Sequence, residues 1–178
     1  MNCYGGKELA RTYRTVRENT IKIAEEIPED KYDFSPAPGV RTVRQTLTHI
    51  ALSDSFAAVH KERRTNFDGF NFPAMVGQMQ AEEAKPRTKA EVIALLKERG
   101  EETAKWLDTL GDDVLAEQFT QPRGEPATKS RFEMIMSMKE HEMHHRAQLM
   151  LIERMIGIVP HLTRQMQERF AAAAQARS

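Results

Sequence analysis

One spacing near the start of the chain governs what it can fold into. Leu9, Tyr13, Val16, Thr20, Ile23 and Ile27 recur at intervals of four, three, four, three and four, the period of a helix face packed in a bundle. Pro28 ends the segment, since it donates no backbone N–H and disfavours a continuing helix. The same signature returns three times, each behind a capping box, in which a Ser or Thr side chain and a Glu or Gln three residues later satisfy each other's backbone N–H groups.

The second helix is predicted from Thr42-Val43-Arg44-Gln45 to residue 64, carrying Val43, Leu47, Ile50, Leu52, Phe56 and Val59. The third opens at Thr88-Lys89-Ala90-Glu91 and runs through Ile93, Leu96, Gly100, Thr103, Leu107 and Leu110, with Gly111 at the C-cap. The fourth opens at Ser130-Arg131-Phe132-Glu133 and runs to residue 156, closed by Gly157 and Pro160. Ser35-Pro36-Ala37-Pro38-Gly39 reads as loop, and residues 66–86 as a long crossover with a short helix at 75–83. Residues 112–128, with Pro122, Gly124 and Pro126, form a loop long enough for a short hairpin, and a last helix spans 162–175. These elements predict an all-α fold: one four-helix-bundle domain over residues 1–178, with one long crossover and a short C-terminal helix.

Composition agrees. Ala, Leu, Glu, Lys, Arg, Met and Gln supply 95 of 178 residues, while Val and Ile together supply 17. Lys plus Arg equals Asp plus Glu at 26 each, and the halves on either side of residue 89 depart from neutrality by only two charges. Neither has the basic excess that nucleic acid or an anionic membrane demands. No apolar run approaches the roughly 20 residues of a membrane span. Cys3 is the only cysteine, so no intrachain disulfide can form, which fits a cytoplasmic protein.

The six histidines are not evenly spread. His141 and His145, an i, i+4 pair, lie about 40° apart on one helix face. The apolar residues assigned to that face are Met134, Met138, Leu149, Ile152 and Ile156. The same arithmetic turns His49 of the second helix inward, while His144 points toward the stripe's edge. Burying three imidazoles without partners is costly, and a divalent cation removes the cost, since neutral imidazole ligates zinc, nickel, iron or copper. The alternative is a plain bundle whose core histidines are hydrogen-bonded.

His141-Glu142-Met143-His144-His145 also satisfies the H-E-x-x-H pattern of zinc proteases. The longer protease form fails, because Gln148 and Leu151 stand where Gly and His are required. His60 and His161 have no motif around them and read as surface or interface residues. Most of the ten methionines read as adaptable core filler, and Trp106 as a packing or dimer residue. Arg146 falls on the polar side of the fourth helix, where a salt bridge is expected.

The stretch from His141 to Pro160, H-E-M-H-H-R-A-Q-L-M-L-I-E-R-M-I-G-I-V-P, closely resembles the signature helix of the DinB/YfiT-like metalloenzymes. Members read H-x-x-x-H-R-G-Q, an apolar stretch, an Arg, then Gly before a proline. Thr42 to Ile50 resembles the family's second-helix segment, and the likeness covers nearly the whole chain. It implies a metal triad at His49, His141 and His145, with His144 outside it. Ala147 departs from the family's Gly and is expected to crowd a helix contact without touching the ligands.

The resemblance implies a divalent metal, zinc or nickel first, and an enzyme that is either a hydrolase or a low-molecular-weight-thiol S-transferase. The substrate is then a small molecule in a cleft between the second and fourth helices. A non-enzymatic metal-stabilised ligand-binding or stress-response module is the alternative. A homodimer is expected from the family habit, from an apolar, Met-rich excess on several helices and from an Ala-rich last helix with little core role. Metal affinity is expected to fall below about pH 6, as ordinary imidazoles take up protons.

Overall fold

The computed structural model describes residues 4–121 and 127–176. Cys3 and the Pro122, Gly124 and Pro126 assigned to loop lie outside the described residues. Four long helical segments form the bundle: α1 (Gly6–Glu26), α2 (Val43–Leu52), α5 (Lys89–Asp108) and α7 (Arg131–Met155). The crossover carries the short α3 (Ala58–Lys61) and α4 (Phe72–Glu83); α6 (Asp112–Ala116) and α8 (His161–Gln175) complete the helices. A two-stranded antiparallel ribbon, β1 (Gln118–Thr120) with β2 (Thr128–Ser130), pairs Phe119 with Lys129 ahead of α7. Among the described residues no helix is long and apolar enough to cross a membrane.

All three predicted capping boxes are present: Thr42 with Gln45, Thr88 with Glu91, and Ser130 with Glu133. Each reciprocates two N–H groups that a helix start would otherwise leave unpaired. The first stripe is buried throughout, from Leu9 to Ile27. α1 packs on α5 and α7, and α2 packs on the same two, so α1 and α2 lie diagonally although they follow one another in the chain. One apolar cluster, with Ile23, Ile27, Leu47, Ile50, Leu96 and Leu149, fills one end of the bundle. Leu9, Tyr13, Leu107, Ile135 and Met138 fill the other.

Two boundaries and one core position differ from expectation. The second helix stops being α-helical at Leu52 and tightens to 3-10 geometry over Ser53–Ala57. There the Ser53 hydroxyl donates to the Ile50 carbonyl at 2.8 Å, competing with the backbone ladder. Leu52 and Phe56 consequently leave the core, and Phe56 is 37% exposed. The C-cap of α5 is Thr109 rather than Gly111, which has extended backbone and stands at the N-cap of α6. On α5, Val92 rather than Ile93 is fully buried. Gly157, by contrast, does close α7. Its φ of 85° suits glycine, and the Ile158 N–H reaches back to the Glu153 carbonyl at 2.7 Å.

Beside that terminus lies a buried carboxyl that the fold leaves unpaired. Glu153 is fully buried, and neither of its carboxylate oxygens has a hydrogen-bond partner among the described residues. Burial first, and the neighbouring Glu26 second, push it up to about 7. The folded protein therefore holds this proton more tightly than the unfolded chain. Its stabilising effect is complete below about pH 4.5, the ordinary glutamate value, and is lost as pH rises to about 7. Glu153→Gln cannot ionise. The variant should match wild type near pH 4.5 and exceed it in melting temperature by roughly 5 °C at pH 8. A melting-temperature difference that does not change across this range would contradict the assignment.

Candidate metal centre

The site is built where α2 faces α7, with α4 lying over α2. His49 sits in the last turns of α2, one residue before the buried Ile50. The buried residues of α7 include Arg131, Ile135, Met138, Glu142, His145, Leu149 and Ile152, a stripe spaced four, three, four, three, four, three, with Glu153 buried beside its last member. His145 is on that stripe, whereas His141 is at its edge and half-buried. The Met134 assigned to the core face is likewise only partly buried.

The structure brings His49, His141 and His145 together, with one ring nitrogen from each lying within 4.8 Å of the others. His141 Nε2 is 3.1 Å from His49 Nε2 and 3.2 Å from His145 Nε2. The outer nitrogens fix the tautomers. His49 Nδ1 faces Glu83 Oε1 at 2.7 Å, and a carboxylate only accepts, so Nδ1 donates and Nε2 carries a lone pair. His145 Nδ1 donates to Gln148 Oε1 at 2.8 Å, while the Gln148 amide N–H donates to His144 Nε2 at 3.2 Å. His145 Nε2 therefore also carries a lone pair.

Two lone pairs thus converge on the third imidazole, whose Nδ1 is buried with no hydrogen-bond partner. A neutral His141 has one ring proton and can satisfy only one of them. Protonating the cluster is unfavourable: burial first, and then the neighbouring histidines, push His141 down to about 4. His49 and His145 are also lowered, chiefly by burial. Three neutral imidazoles with inward lone pairs are a donor set that suits a divalent ion.

Beyond His145 the site opens into a cleft of about 620 Å³, walled by the 36–41 loop, α2, α4 and α7. The cleft expected between the second and fourth helices is therefore present, but the crossover supplies a third wall. A smaller recess of about 250 Å³, lined by Ser53, Phe56, Ser137 and Met138, reaches His141 from the other side.

Glu142 lies in neither opening. It is fully buried and forms an ion pair with Arg17, whose Nε is 2.9 Å from Glu142 Oε1. Thr20 donates a further hydrogen bond to the same oxygen at 2.8 Å. A carboxylate so engaged is no general base for a protease, and the H-E-x-x-H match is coincidental. His144 is exposed; its ring meets His145 edge-on with centroids 4.9 Å apart, and its Nε2 accepts from the Gln148 amide. Ala147 is exposed as well, so the expected crowding does not occur.

His60 and His161 are corrections: both are buried inside the chain rather than on its surface. His60 stacks on Phe119 and accepts from Arg131 Nη1 at 3.1 Å, tying the crossover to the ribbon and α7. His161, the first residue of α8, donates to Asn19 Oδ1 at 3.0 Å. No ion pair of Arg146 forms among the described residues; it is half-buried on α7, and Glu142 is the charge that supports it.

Glu83 and Gln148 are functional neighbours that sequence reasoning did not select. Gln148 lies three residues past His145, the reach of a same-face helical partner, and this was a usable signal. Glu83 had none, because only the fold brings the end of α4 to α2.

Fold and site together define a helical bundle that gathers three imidazoles from two facing helices. The chain belongs to the DinB superfamily, whose family model matches residues 12–149. No curated protein matches it. Among solved structures it is similar to YfiT of Bacillus subtilis, described as a probable metal-dependent hydrolase with an unusual four-helix bundle topology. That likeness has 18% identity and a TM-score of 0.65 over 89% of this chain and 91% of that one. It is also similar to the DinB-like protein YjoA of Bacillus subtilis, with 22% identity and a TM-score of 0.62 over 84% and 92% of the two chains. At these identities the likeness establishes the fold.

Proposed function

We propose that this protein is a metal-dependent enzyme, a hydrolase or a low-molecular-weight-thiol S-transferase, in which His49, His141 and His145 hold one divalent ion, zinc or nickel first. The observation that carries the proposal is the convergence of three Nε2 atoms whose tautomers Glu83 and Gln148 set in advance. A bound ion supplies Lewis acidity toward a water, thiol or carbonyl in the cleft. The protein's own residues do the rest: Glu83 and Gln148 hold the imidazoles in orientation, and the apolar lips of the cleft limit water around a bound molecule. A site closed by protein atoms would suit the non-enzymatic alternative, whereas a cleft reaching His145 supports turnover.

The test is elemental analysis of untagged protein, followed by ester, amide and thiol-transfer assays with the ion found. One ion per chain and turnover in one assay class are expected. A chain that retains no ion, or a loaded chain inert in every class, overturns the reading.

The same reading takes residues 1–178 as one domain, cytoplasmic and homodimeric. Support for the dimer comes from the apolar surface at the end of the bundle, where Met155, Val159, Met166 and Phe170 are each about half exposed or more. Light scattering at micromolar concentration should give twice the 20.4 kDa chain mass; a single chain mass would refute it.

A further inference from the structure

Arg41 stands where the loop after α1 enters the cleft, and it is unusually placed for a structural arginine. Its Nε donates to Glu83 Oε2 at 2.7 Å, while Glu83 Oε1 accepts from His49. Among the described residues that single nitrogen makes its only hydrogen bond, which leaves the Nη1 and Nη2 donors uncommitted on a side chain 41% exposed. Its charge reaches all three site histidines and is one of the influences that lower their proton affinity.

The charge balance around the cleft follows from these contacts. The ligand imidazoles are neutral, so no ligand reduces the charge of a bound divalent ion. Among the described residues lining the cleft the one carboxylate is Glu83, and Arg41 itself offsets it. The loaded site and its rim together therefore carry about two net positive charges, Arg41 included, and the Nη donors of Arg41 stay uncommitted toward the cleft. The rest of the rim is different in kind: Val40 and Leu151 are 49% and 59% exposed large apolar residues, set on the loop and on α7 beside this cleft. A cavity of about 620 Å³ is in the range that holds a small organic ligand.

Building on the proposed metal site, we infer that the substrate is an amphipathic organic carboxylate, its anionic group held by the Nη fork of Arg41 and its hydrocarbon body lying between Val40 and Leu151. Arg41 is on this view a specificity-determining residue. A fork of two N–H donors matches the two oxygens of a carboxylate in a way that neither an alcohol nor an amine reproduces.

The experiment is calorimetric titration of hexanoate and of hexan-1-ol into zinc-loaded wild type, Arg41→Gln and Arg41→Lys, with zinc content measured in each. Hexanoate should bind wild type at least about tenfold more tightly than hexanol. Arg41→Gln should erase that preference while retaining one zinc per chain, and Arg41→Lys should keep part of it, having the charge without the fork. Equal hexanoate affinity in wild type and Arg41→Gln would overturn the inference, because the metal alone would then anchor the anion. If Arg41→Gln also loses zinc, the comparison passes to Arg41→Lys, where undiminished preference for hexanoate overturns the role of the fork. Wild type that takes up no zinc or nickel refutes the metal reading, and this inference falls with it.

Discussion

Arg17→Met is expected to destabilise the bundle by about 3–5 kcal/mol, because it leaves the Glu142 carboxylate buried without its counter-charge. The arginine is 3% exposed and touches every long helix. From α1 it pairs with Glu142 of α7, donates to the Leu96 carbonyl of α5 at 2.8 Å and to the Ile50 carbonyl of α2 at 3.3 Å, and reaches the Tyr13 hydroxyl at 2.9 Å. Gly100 makes room for it, since a Cβ there would come within 2.7 Å of Arg17 Cγ. At about 2–4 °C per kcal/mol for a chain of this size, the melting temperature should fall by roughly 10 °C or more. The double variant Arg17→Met, Glu142→Leu removes both charges and should recover most of the loss, as replaced buried pairs commonly do. Urea unfolding measures both. A single variant within about 1 kcal/mol of wild type, or a double variant no better than the single, would show that the pair is not what holds the four helices in register.

That node also shows what was legible in the sequence and what was not. Hydropathy finds α1, because its inward positions are nearly all apolar and their four-three spacing survives without interpretation. On α7 hydropathy misleads: Glu142 and Arg131 are among the most deeply buried side chains, while Met134 and Met143 are not buried. Spacing alone, counted back from Leu149 through His145, lands on Glu142 and then on Met138. Charge is what hides it, since a buried glutamate is expected only with its partner, and Arg17 is more than a hundred residues away in the chain. The histidine cluster was legible because one helix supplies two of its members at a fixed interval. The residues that orient them divide in the same way: Gln148 is local, and Glu83 arrives through tertiary packing. At the 3-10 tightening after Leu52 the Ile50 carbonyl accepts from the Ser53 hydroxyl and from the distant Arg17, contacts that propensities do not record.

Removing His141 should have the largest effect on metal content, and the geometry says why. Its Nε2 is the atom near both others, at 3.1 and 3.2 Å, so His141→Ala leaves two nitrogens on different helices with nothing between them. Stoichiometric zinc or nickel should be lost in that variant and in His145→Ala, and His49→Ala should weaken binding severely. His144→Ala should retain one ion per chain, since its ring is exposed, its Nε2 is taken by the Gln148 amide, and it only packs edge-on against His145. Glu83→Gln keeps an acceptor for His49 but removes the charge that favours its donor tautomer, and a loss of about tenfold or more in affinity is expected. The pH limit shifts as well. Ordinary imidazoles would compete for protons from about pH 6, but burial lowers all three here, His141 to about 4. A group whose folded value is depressed stays neutral until pH falls toward that value, so bound metal should persist below pH 6, and should be released by about pH 4, where His141 itself takes up a proton. Elemental analysis after gel filtration at each pH, on wild type and the five variants, reads all of this directly. Loss of the ion in His144→Ala with retention in His141→Ala would refute the assignment, as would release already complete at pH 6.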